Sequence, residues 1–177
     1  MLSGRQGKQK NTLIKTIRIN CKGGSMAVSE YFDKNLCIMK LDGKDKEGVV
    51  KEIAAKMIQG GKIKNEEKFV KDVLKRESLG STGIGNNVAI PHARTDAVDS
   101  FTIGFGKSGE GIEFNALDGE KVNLVFLMGA NPSELNLYLR ILADLSKLLM
   151  NNYFRQELLA AESSEDVLEV IKKFEGS

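Results

Sequence analysis

The chain holds a single histidine, two cysteines, two prolines and no tryptophan among its 177 residues. These scarcities narrow the chemistry. Cys21 and Cys37 form no C-x-x-C arrangement, and one histidine cannot complete a Cys/His ligand set for zinc, so a reduced, cytoplasmic protein fits best. No apolar run reaches the roughly 18 residues of a membrane span, and the basic N-terminal stretch lacks the apolar segment of a signal peptide. Neither sign of charge dominates. Lys and Arg number 26 against 24 Asp and Glu, and a net charge of +2 gives no case for nucleic-acid binding through bulk electrostatics. Partners must be recognised through a site.

What is present is enough for one ordinary domain, with 41% hydrophobic residues to build a core. Residues 1–25 are set apart from it. Lys8, Lys10, Lys15, Arg18, Lys22 and the run Gly23-Gly24-Ser25 make a basic, loosely patterned arm, expected to be disordered or foreign to the native protein. Lys22 to Ser25, directly before Met26, reads like a translated ribosome-binding sequence, so the domain is expected to span 26–177 with Met26 as the natural start.

The pattern of elements mixes strands and helices. Asn35 to Leu41 alternates and runs into Asp42-Gly43, a strand and turn. Val49, Val50, Ile53, Ala54, Met57 and Ile58 recur at helical spacing from Lys46 to Gly60-Gly61. Asn65 caps a second helix carrying Phe69, Val70, Val73 and Leu74, which should end near Ser78 to Gly80. Gly80 to Ala93 reads as a glycine-rich loop feeding a short strand that stops at Pro91-His92. Phe101 to Phe105 alternates, and Val122 to Met128 is a nearly unbroken apolar run, the pattern of a central strand covered on both faces. Asn131-Pro132-Ser133-Glu134 opens a long helix whose apolar stripe is expected at Leu135, Leu139, Leu142, Leu145 and Leu149. A short helix from about Tyr153 to Ala161 and a last one opened by Ser163 or Ser164 follow. The fold class is therefore α/β, a mixed sheet flanked by helices.

Two phosphate-binding motifs fail on inspection. Gly106-Lys107-Ser108 resembles the end of a P-loop, but Phe101 stands where the first glycine is needed. Gly83-Ile84-Gly85 lacks the third glycine of a dinucleotide fingerprint, since Val88 occupies its place. No G-x-S-x-G elbow supports serine hydrolysis either. His92 remains. A lone histidine is more often structural than functional, but Pro91 pushes Ile90 into an extended conformation and delivers this one to the mouth of a strand. Neutral imidazole can attack a phosphoryl group without a base to deprotonate it, giving a phosphoramidate. The added charge must be met by an arginine or by backbone N–H groups, and Arg76, Gly80, Gly83 and Gly85 are the nearby candidates.

The run Arg76-Glu77-Ser78-Leu79-Gly80-Ser81-Thr82-Gly83-Ile84-Gly85-Asn86-Asn87-Val88-Ala89-Ile90-Pro91-His92-Ala93 resembles the signature of IIA domains of the bacterial sugar phosphotransferase system, of the fructose and mannitol class that includes nitrogen-regulatory IIA proteins. The likeness extends from about Met26 to the C-terminus, through Val122 to Met128 and Leu139 to Leu145. It implies a phosphotransferase component with His92 as phosphoryl acceptor, loaded from an HPr-type carrier, and Arg76 as the cation beside the phosphoryl group. Gly83, Gly85, Pro91 and Tyr138 complete the implied phosphoryl and partner site, with neither cofactor nor metal. The implied recipient is a IIB cysteine, with membrane association only indirect, through a IIC permease; in a nitrogen-regulatory protein, phosphorylation would switch binding to regulatory partners. Tyr138 departs from the family, which commonly has a second histidine there. Tyrosine cannot become a cation, and its place beside Ile141, Leu142 and Leu145 also fits simple packing. Asn87 stands where glycine is usual, and asparagine tolerates the left-handed conformation better than most residues.

Overall fold

The computed structural model describes residues 27–176; the basic arm, Cys21 and the expected start at Met26 lie outside them. After a 3₁₀ turn at Val28–Glu30, the elements in chain order are β1 (Phe32–Ile38), α1 (Lys46–Gln59), α2 (Glu66–Glu77), β2 (Gly83–Gly85), β3 (Val88–Ala89), β4 (His92–Arg94), β5 (Thr102–Ile112), β6 (Val122–Ala130), α3 (Leu135–Met150), α4 (Asn152–Ala160) and α5 (Ser164–Glu175). The sheet runs β1-β5-β6-β3-β2, with β4 also paired to β6. Directions are mixed: β1 lies parallel to β5, β6 antiparallel to β5, and β3 and β4 both parallel to β6.

β6 is the axis of the molecule because its apolar side chains are met on both faces of the sheet. Leu124, Phe126 and Met128 pack with Tyr138, Ile141, Leu145, Phe154, Val167 and Ile171 of α3, α4 and α5. Val125 and Leu127, pointing the other way as strand alternation requires, pack with Val49, Ile53, Met57, Phe69 and Val73 of α1 and α2. Two cores thus sandwich one sheet. The close approach of α1 depends on Gly104 in β5, where an added Cβ would lie 2.6 Å from Ile53 Cγ2 and 2.8 Å from Met57 Sδ. Both neighbours are fully buried. Gly104→Ala is therefore expected to destabilise the fold by about 1–3 kcal/mol through overpacking, read as a lowered urea midpoint at unchanged slope.

Helix starts follow the capping residues. Asp45 accepts from Gly48 N, Asn65 from Lys68 N, and Ser163 forms a reciprocal capping box with Asp166. Asn131 caps a 3₁₀ turn at Pro132–Glu134 that precedes α3, in place of the first turn of the helix itself. The buried stripe of α3 is Tyr138, Ile141, Leu145 and Leu149, not one that includes Leu135 and Leu139, which are exposed. The helix has leucines on two faces, so spacing alone finds Leu145 and Leu149 but misplaces the start of the stripe.

Three strand expectations also shift. β1 begins three residues earlier than the alternation suggests and is interrupted by a register shift between Phe32 and Cys37. Within that stretch Asp33 Oδ1 accepts from Asn35 N at 2.9 Å. β5 continues to Ile112 through a polar, glycine-containing stretch, held by pairing of Ile112 with Val122. Lys107, part of the failed P-loop match, lies within it and donates to the Leu159 carbonyl at 3.1 Å and to the Ala161 carbonyl, tying β5 to the end of α4. The segment Gly80 to Ala93 contains two short strands, β2 and β3, turned by Asn86 (φ 55°) and Asn87 (φ 66°). Paired left-handed residues in a two-residue hairpin are the turn geometry that asparagine permits. Among the described residues no helix is long and apolar enough to cross a membrane.

Candidate functional site

Ile90 and Pro91 separate two short strands, β3 and β4. The Pro91 carbonyl accepts from Met128 N at 2.9 Å, and His92, Ala93 and Arg94 then pair with Met128, Gly129 and Ala130 of β6. The histidine is consequently not where a strand stops, as the proline suggested, but is the first residue of a new one, β4, and is 9% exposed. The reason is the parallel ladder of β6, which continues past the break that proline makes and recaptures the backbone one residue later.

A cleft of about 640 Å³ opens over His92, walled by one side of α2 from Lys68 to Arg76, by Leu79, by β4 and the residues after it, and by Pro132 and Tyr138. Because Asn65 fixes the start of α2, Arg76 falls in its last turn, on one face with Lys68 and Asp72. Arg76 Nε donates to His92 Nε2 at 3.2 Å, and Arg76 Nη1 donates to the Gly80 carbonyl at 3.1 Å. The other ring nitrogen, Nδ1, lies 2.6 Å from the Ile90 carbonyl oxygen. A carbonyl only accepts, so Nδ1 carries the proton and Nε2 carries the lone pair that faces the cleft. Burial holds the imidazole below its ordinary value of 6.5; the bond to the Ile90 carbonyl opposes that shift and the Arg76 charge adds to it. The ring is neutral at physiological pH.

The adjoining chain is fixed from below. Glu77, the last residue of α2, is buried and accepts from Thr82 N and from Thr82 Oγ1 at 2.5 Å, while Lys46 Nζ approaches within 2.8 Å. Glu77 thereby holds the two ends of the segment whose Gly80 carbonyl steadies Arg76. Elsewhere in the cleft, Asp72 accepts from Thr95 Oγ1 at 2.6 Å and pairs with Lys68, which also reaches Asp96 at 3.0 Å.

The residues expected from sequence separate into two groups. Arg76, His92 and Tyr138 come together: the Tyr138 and His92 rings are 5.8 Å apart, tilted by 57°. Tyr138 belongs to the α3 core stripe and to the cleft at once, and burial raises its hydroxyl, with Arg76 and Arg94 acting against that. Pro91 positions His92 through its carbonyl. Gly83 and Gly85 lie elsewhere. Gly83 packs against Ala116, and Gly85, at φ 87°, sits beside the Asp118 carboxylate. Thr95, Asp72 and Arg94 were not anticipated. The signals were there: Asp72 is four residues before Arg76 on a helix, and Arg94 is two after His92 on a strand.

The sequence profile of the family described as "Phosphoenolpyruvate-dependent sugar phosphotransferase system, EIIA 2" matches residues 30–174, nearly all of the described domain. The chain belongs to this family. A fructose-specific EIIABC component of Bacillus subtilis is 36% identical over 148 residues, covering 84% of this chain and 23% of that protein. The chain therefore spans about a quarter of the Bacillus relative. A fructose-specific EIIA component of Haloferax volcanii is 35% identical over 126 residues, 71% of this chain and 82% of its own length. Among solved structures, the nitrogen regulatory protein IIA-Ntr of Neisseria meningitidis superposes with a TM-score of 0.76 at 25% identity, covering 81% of this chain and 98% of that one. The mixed sheet with flanking helices is thus the EIIA fold, and the family is one of phosphotransfer components.

Proposed function

We propose that this chain carries a phosphoryl group on His92 Nε2, taken from a phosphohistidine of an HPr-type carrier and passed to a cysteine of a IIB component. The observation that carries the reading is the division of labour on the ring: Nδ1–H is fixed to the Ile90 carbonyl and Nε2 is left with its lone pair beside a guanidinium. In the loading step the donor's N–P bond breaks, its electron pair returns to the donor ring, and a bond forms between phosphorus and Nε2. No base is needed. Arg76 Nε–H, which now points at Nε2, is placed to turn onto a phosphoryl oxygen as a charge-assisted donor. Such catalysis consists of positioning and charge stabilisation within a transient protein complex. The fructose-specific names of the Bacillus and Haloferax relatives support a fructose-like class.

The test is incubation with the general phosphotransferase components and radiolabelled phosphoenolpyruvate, then with a fructose-class IIB domain. Acid-labile label on this chain that chases to the IIB cysteine is expected; a chain that stays unlabelled would end the proposal. Arg76→Ala is expected to slow loading by about tenfold or more, since charge-assisted hydrogen bonds contribute roughly 1.5–3 kcal/mol. Its melting temperature should change little, because the Arg76 side chain is only part-buried and its bonds go to His92 and to one loop carbonyl, that of Gly80. An unchanged loading rate would remove Arg76 from the site.

A second reading has its own observation: the fold covers 98% of a nitrogen regulatory protein, at a TM-score of 0.76. On that reading the phosphoryl group, with a charge of roughly −2, reverses the sign of the cleft and switches binding to a regulatory partner. Label that loads but does not chase to any IIB domain favours regulation.

A further inference from the structure

A phosphoryl group on Nε2 would present three oxygens and a charge of roughly −2 to the cleft. Arg76 alone does not satisfy it. Once Nε2 is bonded to phosphorus, the Arg76 Nε can turn to one phosphoryl oxygen while its Nη1 stays on the Gly80 carbonyl, which leaves Nη2 as the one other nitrogen with both hydrogens uncommitted. The other cations of the cleft are Lys68, Lys75 and Arg94. Lys68 is already neutralised by Asp72 and Asp96. Lys75 precedes Arg76 on α2, and consecutive helical residues diverge by about 100°.

Arg94 is differently placed. It follows His92 by two residues on β4, so the two side chains leave the same face of the strand, roughly 7 Å apart at the backbone. The ladder to Ala130 of β6 fixes that spacing. Both residues line the cleft, and Arg94 is solvent-exposed with no ion pair or hydrogen bond among the described residues. The two carboxylates nearby, Asp72 and Asp96, are taken by Thr95 and Lys68. Tyr138, whose ring lies 5.8 Å from that of His92, is within electrostatic reach of both Arg76 and Arg94. Tyr138 itself has no charge to offer.

We infer that Arg94 is a second phosphoryl-binding cation, closing on the oxygens of the His92 phosphoryl group from the side opposite Arg76. This rests on the carrier reading given above. An uncommitted planar fork on a rigid strand suits the task, because it can take two oxygens at once without first breaking another bond.

The experiment compares wild type with Arg94→Ala, Arg94→Lys and Lys71→Ala, the last removing a charge from the outer side of α2. Loading from labelled phosphoenolpyruvate is timed, and the protonation of the bound phosphoryl group is followed by phosphorus NMR against pH. Arg94→Ala should slow loading tenfold or more and raise the pH at which the phosphoryl group protonates by at least about half a unit, since a lost neighbouring cation favours the protonated form. Arg94→Lys should recover part of both, and Lys71→Ala should match wild type. Slower loading with an unmoved phosphoryl titration would assign Arg94 to the partner protein and overturn the inference. Equal loading and equal titration would overturn it while leaving the carrier reading intact. A wild-type chain that takes no label would remove both.

Discussion

His92→Gln is expected to abolish phosphoryl loading completely, because the chain has no other histidine to take over. Glutamine is polar and of similar reach, but an amide nitrogen has no basic lone pair and cannot serve as the nucleophile. The same variant should change how stability depends on pH. In the folded protein the ring resists protonation more than its ordinary value of 6.5 implies, whereas in the unfolded chain it does not. Below pH 6.5 the unfolded state therefore binds more protons than the folded one, and stability falls as the solution is acidified through that region. The contribution is fully present above 6.5. His92→Gln should remove this one component of the acid sensitivity, so wild-type and variant urea midpoints should draw together, relative to their difference at pH 7.5, as pH is lowered to 5.5. A constant difference across that range would show that the ring titrates normally.

Glu77→Ala should produce the largest loss of stability among the residues around the cleft. The carboxylate accepts from both Thr82 N and Thr82 Oγ1 and pairs with Lys46, whose ammonium also lies 5.5 Å from the Phe114 ring centroid. Removing one partner of a buried pair costs about 3–5 kcal/mol. Here Lys46 retains a side-chain exposure of 23% and can rehydrate, so the expected loss is nearer to 3 kcal/mol, mostly from the buried Thr82 donors left without an acceptor. With a slope of about 2 kcal/mol per molar, the urea midpoint should drop by about 1.5 M. Function should suffer as well. With the segment after α2 untethered, the Gly80 carbonyl no longer steadies Arg76, and loading should slow even under conditions where the variant is folded. Glu77→Gln, which keeps one acceptor for Thr82, should be the milder change. Equal midpoints for Glu77→Ala and wild type would show that Thr82 and Lys46 find water instead.

Where one residue dictates local geometry, the sequence was readable. Asn65 and Ser163 announce helix starts by the side-chain oxygen they offer to the first free N–H groups, and the apolar run of β6 can only be a strand covered on both faces. Asn86 and Asn87 carry the same kind of local signal, but reading Gly80 to Ala93 as a loop missed the hairpin that they turn. The resemblance around His92 indicated the family and the pair Arg76 and His92. The rest depends on partners distant in sequence. A strand of three residues directly after proline has no pattern of its own; β4 exists because β6 supplies its ladder. The orientation of α3 is set by which leucines the sheet and α4 leave room for. Gly83 and Gly85 looked like phosphate-cradling residues, yet Ala116 and Asp118, more than thirty residues downstream, are what they accommodate.

The outer strands of the sheet bear on how such a molecule behaves when crowded. One margin is β1, where Asp33 already occupies the Asn35 amide, the register slips, and Asp33, Lys34 and Asn35 put polar side chains along the rim. The opposite margin is β2, only three residues long. Neither side presents the long, straight row of vacant donors and acceptors onto which a foreign strand could zip, so self-association by sheet extension is disfavoured.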